Sequence, residues 1–371
     1  MSFKESVLIS VHQWLKLSVS PMPHHKKPES DRFRGPVKYA EYLVARALVT
    51  TLQRLPIRFA YRLGRAVGWL AWRTMSGRRR IVRKNLEIVN KWMDGRPAVP
   101  SRREKEKTCQ FPASEPESTI DPHPPSVIRN QSSPTLTLEA QVKEVFQRAG
   151  ANLFAGFTFN RMCPERIEKH IRIEGIEHLK EALTEGKGAI ILLAHMGPWE
   201  ALSQLPSLAI KHDITAPFGA MYRPLNNTYL DDWFKQEREA SGTRLFSRRD
   251  GFHKPVDFIR GGGMLGILAD QKMREGVVVP YFGSEAKTSP IPGLFLRRSQ
   301  APLLAVSIET LAPARWKIRV RQVELPEGLD DSKRAILAEQ CNKVLELSLA
   351  QSVSDGFWLT SRFKKVDGVL L

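Results

Sequence analysis

Apolar residues follow two different rhythms along this chain of 371 residues. Near its start they recur at helical spacing: Leu43, Ala47, Leu48 and Leu52, then Phe59, Leu63, Val67 and Leu70, with Pro56 between the two runs. Side chains three and four positions apart share a helix face, and an interior proline breaks the pattern, so residues 39–75 are expected to form two amphipathic helices. From residue 189 onward the rhythm changes. Short continuous apolar runs predict strands at 189–194, 219–222, 264–269, 277–281, 303–309 and 316–323, separated by helical patterns at 200–210, 230–241, 255–260 and 332–352. A further helix is expected at 138–157. Strands apolar on both faces and joined by helices predict an α/β fold with a mixed, largely parallel central sheet flanked by helices.

Breakers and composition divide the rest. Residues 1–38 carry one short helical pattern and then Pro21, Pro23 and Pro28 among serines and lysines, and read as a flexible extension. Residues 94–134 are rich in Pro, Ser and charge and poor in large apolar side chains, so they cannot offset the entropy of ordering and are expected to be a disordered insertion. Residues 135–371 then hold the α/β domain.

Charge changes the picture of the first helices. The chain has 57 Lys and Arg against 39 Asp and Glu, a formal net charge of +18, and the segment from Arg46 to Lys84 contains no acidic residue. Basic amphipathic helices with Trp69 and Trp72 among their arginines fit an interfacial membrane anchor. A helical hairpin packed on the main domain with a solvated arginine face fits the same pattern. Nucleic acid is excluded as a partner on other grounds: no helix-turn-helix, RNA-recognition or zinc pattern accompanies the charge. No run of 18 apolar residues and no signal-peptide pattern occurs, so membrane contact is expected to be peripheral or shallow. Cys109, Cys163 and Cys341 are too few and too scattered for a disulfide framework or a zinc site, and fit a reducing compartment.

Candidate chemistry lies where the strand at 189–194 ends. His195 emerges there, at the strand's carboxyl edge, where open α/β sheets hold ligands. Met196-Gly197-Pro198-Trp199-Glu200 follows, and a helix started at Pro198 would fold Glu200 back toward the imidazole. A carboxylate bonded to one ring nitrogen leaves the other free to take a proton from a hydroxyl. Read alone, His195 could equally close a strand and Glu200 favour a helix N-terminus. Arg223 ends the next strand and could bind an anionic oxygen in bidentate fashion. Asp270 and Gln271 end a third and face the same rim, able to orient Arg223 or substrate hydroxyls. Tyr281-Phe282-Gly283 could wall an acyl tunnel or belong to core and turn. Gly261-Gly262-Gly263 lacks a Walker Lys-Ser/Thr and reads as a helix-to-strand turn rather than a nucleotide loop. No G-x-S-x-G elbow supports a serine hydrolase.

Together His195-x-x-x-x-Glu200, Met221-Tyr-Arg-Pro-Leu-Asn-Asn, Ile267-Leu-Ala-Asp-Gln271, Val279-Pro-Tyr-Phe-Gly283 and Ala301-Pro-Leu-Leu resemble the bacterial lipid A biosynthesis acyltransferases, within the wider glycerolipid acyltransferase superfamily. The resemblance covers about 57–363. It implies direct transfer of an acyl chain from an acyl carrier protein or acyl-CoA thioester to a hydroxyl of an anionic glycolipid, at the cytoplasmic face of the inner membrane. In that scheme His195 is the base, Glu200 its orienter, and Arg223, Asp270 and Gln271 meet substrate; no metal or redox cofactor is required. Two positions depart from the family pattern: Pro198 stands where Asn is common, and Thr360 where the family's Trp-x-His-x-Arg has His. They leave open another lipid acceptor, such as a lysophospholipid, a mannosylated lipid or an aminolipid, and a lipid thioesterase remains an enzymatic rival.

Overall fold

A computed structural model describes residues 33–95, 136–247 and 251–363. Residues 1–32 of the extension expected at 1–38 and nearly all of the segment expected to be an insertion lie outside these residues, while the last three residues of that extension already belong to a helix. Three helices come first: α1 (Pro36–Arg54), α2 (Ile57–Thr74) and α3 (Ser76–Asp94), with Pro56 separating α1 from α2 as its missing N–H requires. Helix α4 (Leu138–Phe159) starts at Thr137, whose hydroxyl accepts from Ala140 N, and runs through the middle of the molecule. Helix α5 (Pro164–Glu168) leads into the sheet.

The chain then alternates between strands and helices, adding β1, α6 and β4 to the elements the periodicity predicts: β1 (Ile171–Glu174), α6 (Ile176–Leu183), β2 (Ala189–Leu193), a 3-10 turn at Trp199–Gln204 continuing as α7 (Leu205–Ile210), β3 (Phe218–Tyr222), α8 (Thr228–Glu239), β4 (Arg244–Ser247), α9 (His253–Arg260) and β5 (Met264–Leu268). Glycines 261–263 make the turn between α9 and β5. A hairpin of β6 (Val277–Tyr281) and β7 (Ser284–Thr288) follows, then α10 (Ile291–Ser299), β8 (Leu303–Ala312), β9 (Arg315–Val323) and α11 (Arg334–Ala350).

Seven strands form one sheet in the order β1-β9-β8-β2-β5-β3-β4. All neighbours pair parallel except β8 with β9, so the sheet is mixed and largely parallel. Every residue of β2 is buried, as expected of a central strand covered on both faces. Because β3, β4 and β5 lie to one side of β2 and β8 to the other, the order reverses beside β2, and a crevice opens at the carboxyl edge there.

The N-terminal helices are part of this body. Helix α2 crosses α4 so closely that a Cβ at Gly64 would sit 2.3 Å from Gly150 O, and one at Gly68 2.2 Å from Phe146 O. Part of the acid-free basic segment finds its carboxylates on α4: Arg65 pairs with Glu144 at 2.7 Å and Arg83 with Glu139 at 2.5 Å. Val49 and Leu52 of α1 pack with Phe154, Phe157 and Trp233 of α4 and α8. The opposite face of α2 stays exposed, with Phe59, Leu63, Trp69 and Leu70 interleaved with Arg58, Arg62 and Arg73. Both readings of the basic helices therefore have a counterpart, a packed face and an amphipathic exposed one. Among the described residues no helix is long and apolar enough to cross a membrane.

Candidate active site

Strand register builds the site. In the β2–β5 pair, Leu193 lies opposite Leu268 and Ala269 N donates to Leu193 O, so the next residues along, His195 and Asp270, leave the sheet side by side. His195 Nδ1 and Asp270 Oδ1 are 2.6 Å apart. Asp270 is buried, while a quarter of the His195 side chain is exposed to the crevice. Burial works against an imidazolium here, but the charge and hydrogen bond of Asp270, with the charge of Glu200 added, hold the His195 pKa above its ordinary value. Burial likewise opposes ionisation of Asp270, and His195 outweighs it, keeping the carboxyl below its usual range. With Nδ1 committed to Asp270, Nε2 is the nitrogen left for a proton transfer.

A chain of hydrogen bonds continues behind Asp270. Gln271 Nε2 donates to Asp270 Oδ2 at 3.0 Å, and Thr360 Oγ1 donates to Gln271 Oε1 at 2.5 Å. Asn85 of α3 donates to the Thr360 and Trp358 carbonyls, both at 2.9 Å. The same C-terminal segment grips the loop of His195: Phe357 N donates to His195 O and Gly197 N to Asp355 O. Asp355 is fixed in turn by Arg148 at 2.9 Å and by Thr310.

Glu200 occupies a different place from the one expected. Pro198 leads into a 3-10 turn, which carries the Glu200 carboxylate toward α8, where Arg238 grips it as a fork. The ion pair is 2.9 Å long and mostly buried. His195 thus takes its hydrogen-bond partner from the neighbouring strand rather than from the following turn, and Glu200 acts on the ring through charge alone.

His195, Glu200, Arg223, Gln271 and Arg238 all line one cavity of about 380 Å3. Arg223, just past β3, is exposed at its mouth, and Lys272 adds a second cation there. The interior is apolar, formed by Leu193, Phe218, Ala220, Gly266 and Leu268 of the sheet and Leu202 of the 3-10 turn. Tyr281 and Phe282, candidates for its wall, are instead buried core of the hairpin, packed against Phe363 and Trp358. Trp358 donates to Val353 O, and Arg362 stacks over Tyr281. Sequence spacing gave no sign of Arg238, which lies 38 positions from Glu200 on what reads as a solvated helix face. Cys341 offers no nucleophile, because burial pushes its thiol up to about 12.

The comparisons agree with one another. The family model for bacterial lipid A biosynthesis acyltransferase matches residues 26–93 and 137–365. A lipid A biosynthesis acyltransferase of Haemophilus influenzae is 28% identical over 132 residues, 35% of this chain and 39% of that protein. Lipid A biosynthesis acyltransferase 2 of Shigella flexneri is 25% identical over 210 residues, covering 54% and 63%. The lipid A biosynthesis lauroyltransferase of Escherichia coli K12 is 22% identical over 316 residues, covering 84% and 87%. The match thus spans well under two thirds of the first of these relatives and most of the third. With the matched segments running from the basic helices through the whole sheet to the C-terminal segment behind Asp270, the chain belongs to the bacterial lipid A biosynthesis acyltransferase family.

Proposed function

We propose that this protein transfers a fatty acyl chain from an acyl carrier protein or acyl-CoA thioester to a hydroxyl of a lipid A precursor. The observation that carries the reading is the 2.6 Å His195–Asp270 contact at the mouth of an apolar cavity edged by arginines. His195 Nε2 takes the proton of the acceptor hydroxyl as its oxygen attacks the thioester carbonyl. The tetrahedral intermediate collapses, the C–S bond breaks, and the imidazolium returns the proton to the leaving thiolate. Asp270 holds the ring's tautomer through Nδ1, and the charges of Asp270 and Glu200 favour the imidazolium that forms between the two steps. No cofactor enters these steps.

Arg223 and Lys272, two exposed cations of the cavity lining, suit an anionic group of the acceptor, and the apolar interior suits the acyl chain. The exposed Phe59, Leu63, Trp69 and Leu70 among Arg58, Arg62 and Arg73 support attachment to an anionic membrane surface, with rings at headgroup depth and guanidinium groups on phosphates.

The test is transfer by purified protein from each thioester to a lipid A precursor, with product mass identifying the added chain. His195→Ala is expected to lose about 10³-fold or more in rate while remaining folded. Full activity in that variant removes His195 as the base. For the surface, wild-type protein should co-sediment with anionic vesicles and Arg58→Gln/Arg62→Gln/Arg73→Gln should bind them about 10²-fold more weakly, each lysine or arginine near such a surface contributing about 1 kcal/mol. Equal binding by the two would assign that face another role.

A further inference from the structure

A second cavity, of about 30 Å3 and lined only by apolar side chains, lies inside the fold, and Phe218 lines both it and the larger one. The two run along one face of the sheet. On β2, Leu193 borders the first and Ile191 the second; on β5, Gly266 borders the first and Met264 the second. Strand neighbours confirm the common face, since Ile191 pairs with Gly266, and Phe218 with Met264. Alternate residues of a strand share a face, so the second cavity continues the first from the carboxyl edge toward the amino edge. The wall between them is an aromatic ring. A Cβ at Gly266 would meet Phe218 Cζ at 3.2 Å and Leu193 Cδ1 at 3.5 Å, so the ring of Phe218 crosses from β3 to lie over the bare backbone of β5. Helix α7 closes the far side with Leu205, Leu208 and Ala209.

We infer that Phe218 is the stop that sets how long an acyl chain the protein accepts, and that the dry cavity behind it is a methyl-end extension closed in the resting ring position. The inference rests on the acyl-transfer reading above and deepens it. The second cavity presents no polar surface, so its only suitable occupant is hydrocarbon. Phe218 stands at the first position of its strand, where one χ1 change moves the ring off Gly266 without disturbing the pairing beyond it. The step from the level of Gly266 to that of Met264 is two residues, about 7 Å. An extended hydrocarbon advances about 1.3 Å per methylene, given C–C bonds of about 1.5 Å, so the step is as long as roughly five carbons, whose room comes from the ring's own volume together with the cavity.

The test offers full-length protein an equimolar mixture of saturated acyl carrier protein thioesters of graded length with a lipid A precursor, and sorts products by mass. In parallel, dodecanoic through octadecanoic acids compete for a fluorescent fatty acid. Phe218→Ala should move the preferred chain longer by about four carbons and raise the ratio of long to short product by about tenfold or more, each buried methylene altering binding by roughly fourfold. Phe218→Leu, the milder change should the first variant fail to fold, should give a smaller shift in the same direction. Refilling the extension with Ala209→Phe in the Phe218→Ala background should restore the shorter preference. An unchanged length profile in the Phe218 variants, in both readouts, overturns the inference even if wild-type transfer is intact. A shifted fatty-acid profile in a protein that transfers nothing keeps the extension and removes the transfer reading instead.

Discussion

His195 has two flanks, and they are built in opposite ways. On one side Asp270, Gln271, Thr360 and Asn85 form a hydrogen-bonded chain running back into the protein, with Asp270 buried and each partner held by the next. On the other, Glu200 and Arg238 face each other across the cavity wall, and Arg238 keeps more than a quarter of its side chain exposed. The first flank is preorganised by these hydrogen bonds. The second is an ion pair on the cavity lining, with its guanidinium partly open to the cavity. Catalysis gains from fixed dipoles where charge develops, while specificity gains from groups whose partners depend on the ligand.

Replacing one carboxylate on each flank breaks the comparison most directly. Because Asp270 and Glu200 hold His195 above its ordinary value near 6.5, the neutral base fills only as pH rises through that raised value, so the transfer rate should climb with pH to a midpoint above it. Asp270→Asn removes the larger charge and the ring's acceptor. Burial, which disfavours the imidazolium, then prevails and the midpoint should fall below that of an ordinary imidazole, with a loss of about 10³-fold in plateau rate from the wrong tautomer. Glu200→Gln removes the smaller charge, so its midpoint should fall less, with a plateau loss nearer 10²-fold. It also leaves Arg238 unpaired, at a cost of about 1–3 kcal/mol of stability. Rate against pH for the three proteins decides the matter. A midpoint unmoved in Asp270→Asn and lowered in Glu200→Gln would make Glu200 the working partner of the ring and reverse the roles of the flanks.

Much of this arrangement can be read in the sequence, and what cannot be read has a common cause. Buried β2 and β5 are continuous apolar runs, so the ends at His195 and Asp270 follow from pattern alone. Which strands lie side by side does not. The β2–β5 pairing joins segments 75 residues apart, and a short-range signal favours Glu200 because it is five positions away. Short strands are missed for a related reason: β1 and β4, of four residues each, carry Arg172 and Arg244 and look like loop until a neighbour pairs with them. Helix α3 is hidden by its run of arginines, although Asn85 within it ends the chain that supports Asp270. Phe218 lies one position before the strand expected at 219–222, and only Gly266 on the adjacent strand gives its ring a place to lie.

Thr360 sharpens the comparison with the smallest change. It stands at the position where the family pattern has histidine, and its hydroxyl donates to Gln271 Oε1, two hydrogen bonds away from the ring. Thr360→Val keeps the shape and removes the donor, leaving a largely enclosed amide oxygen without its partner, at a cost of about 1–3 kcal/mol. No charge is lost, so the pH midpoint should stay where it is while the plateau rate falls only a few-fold, through looser positioning of Asp270. Thr360→Ser, which retains the hydroxyl, should recover most of that rate. If Thr360→Val instead moves the midpoint as Asp270→Asn does, the proton balance of the site extends through Gln271 to Thr360, and the buried flank titrates as a unit rather than serving as a fixed support for one carboxylate.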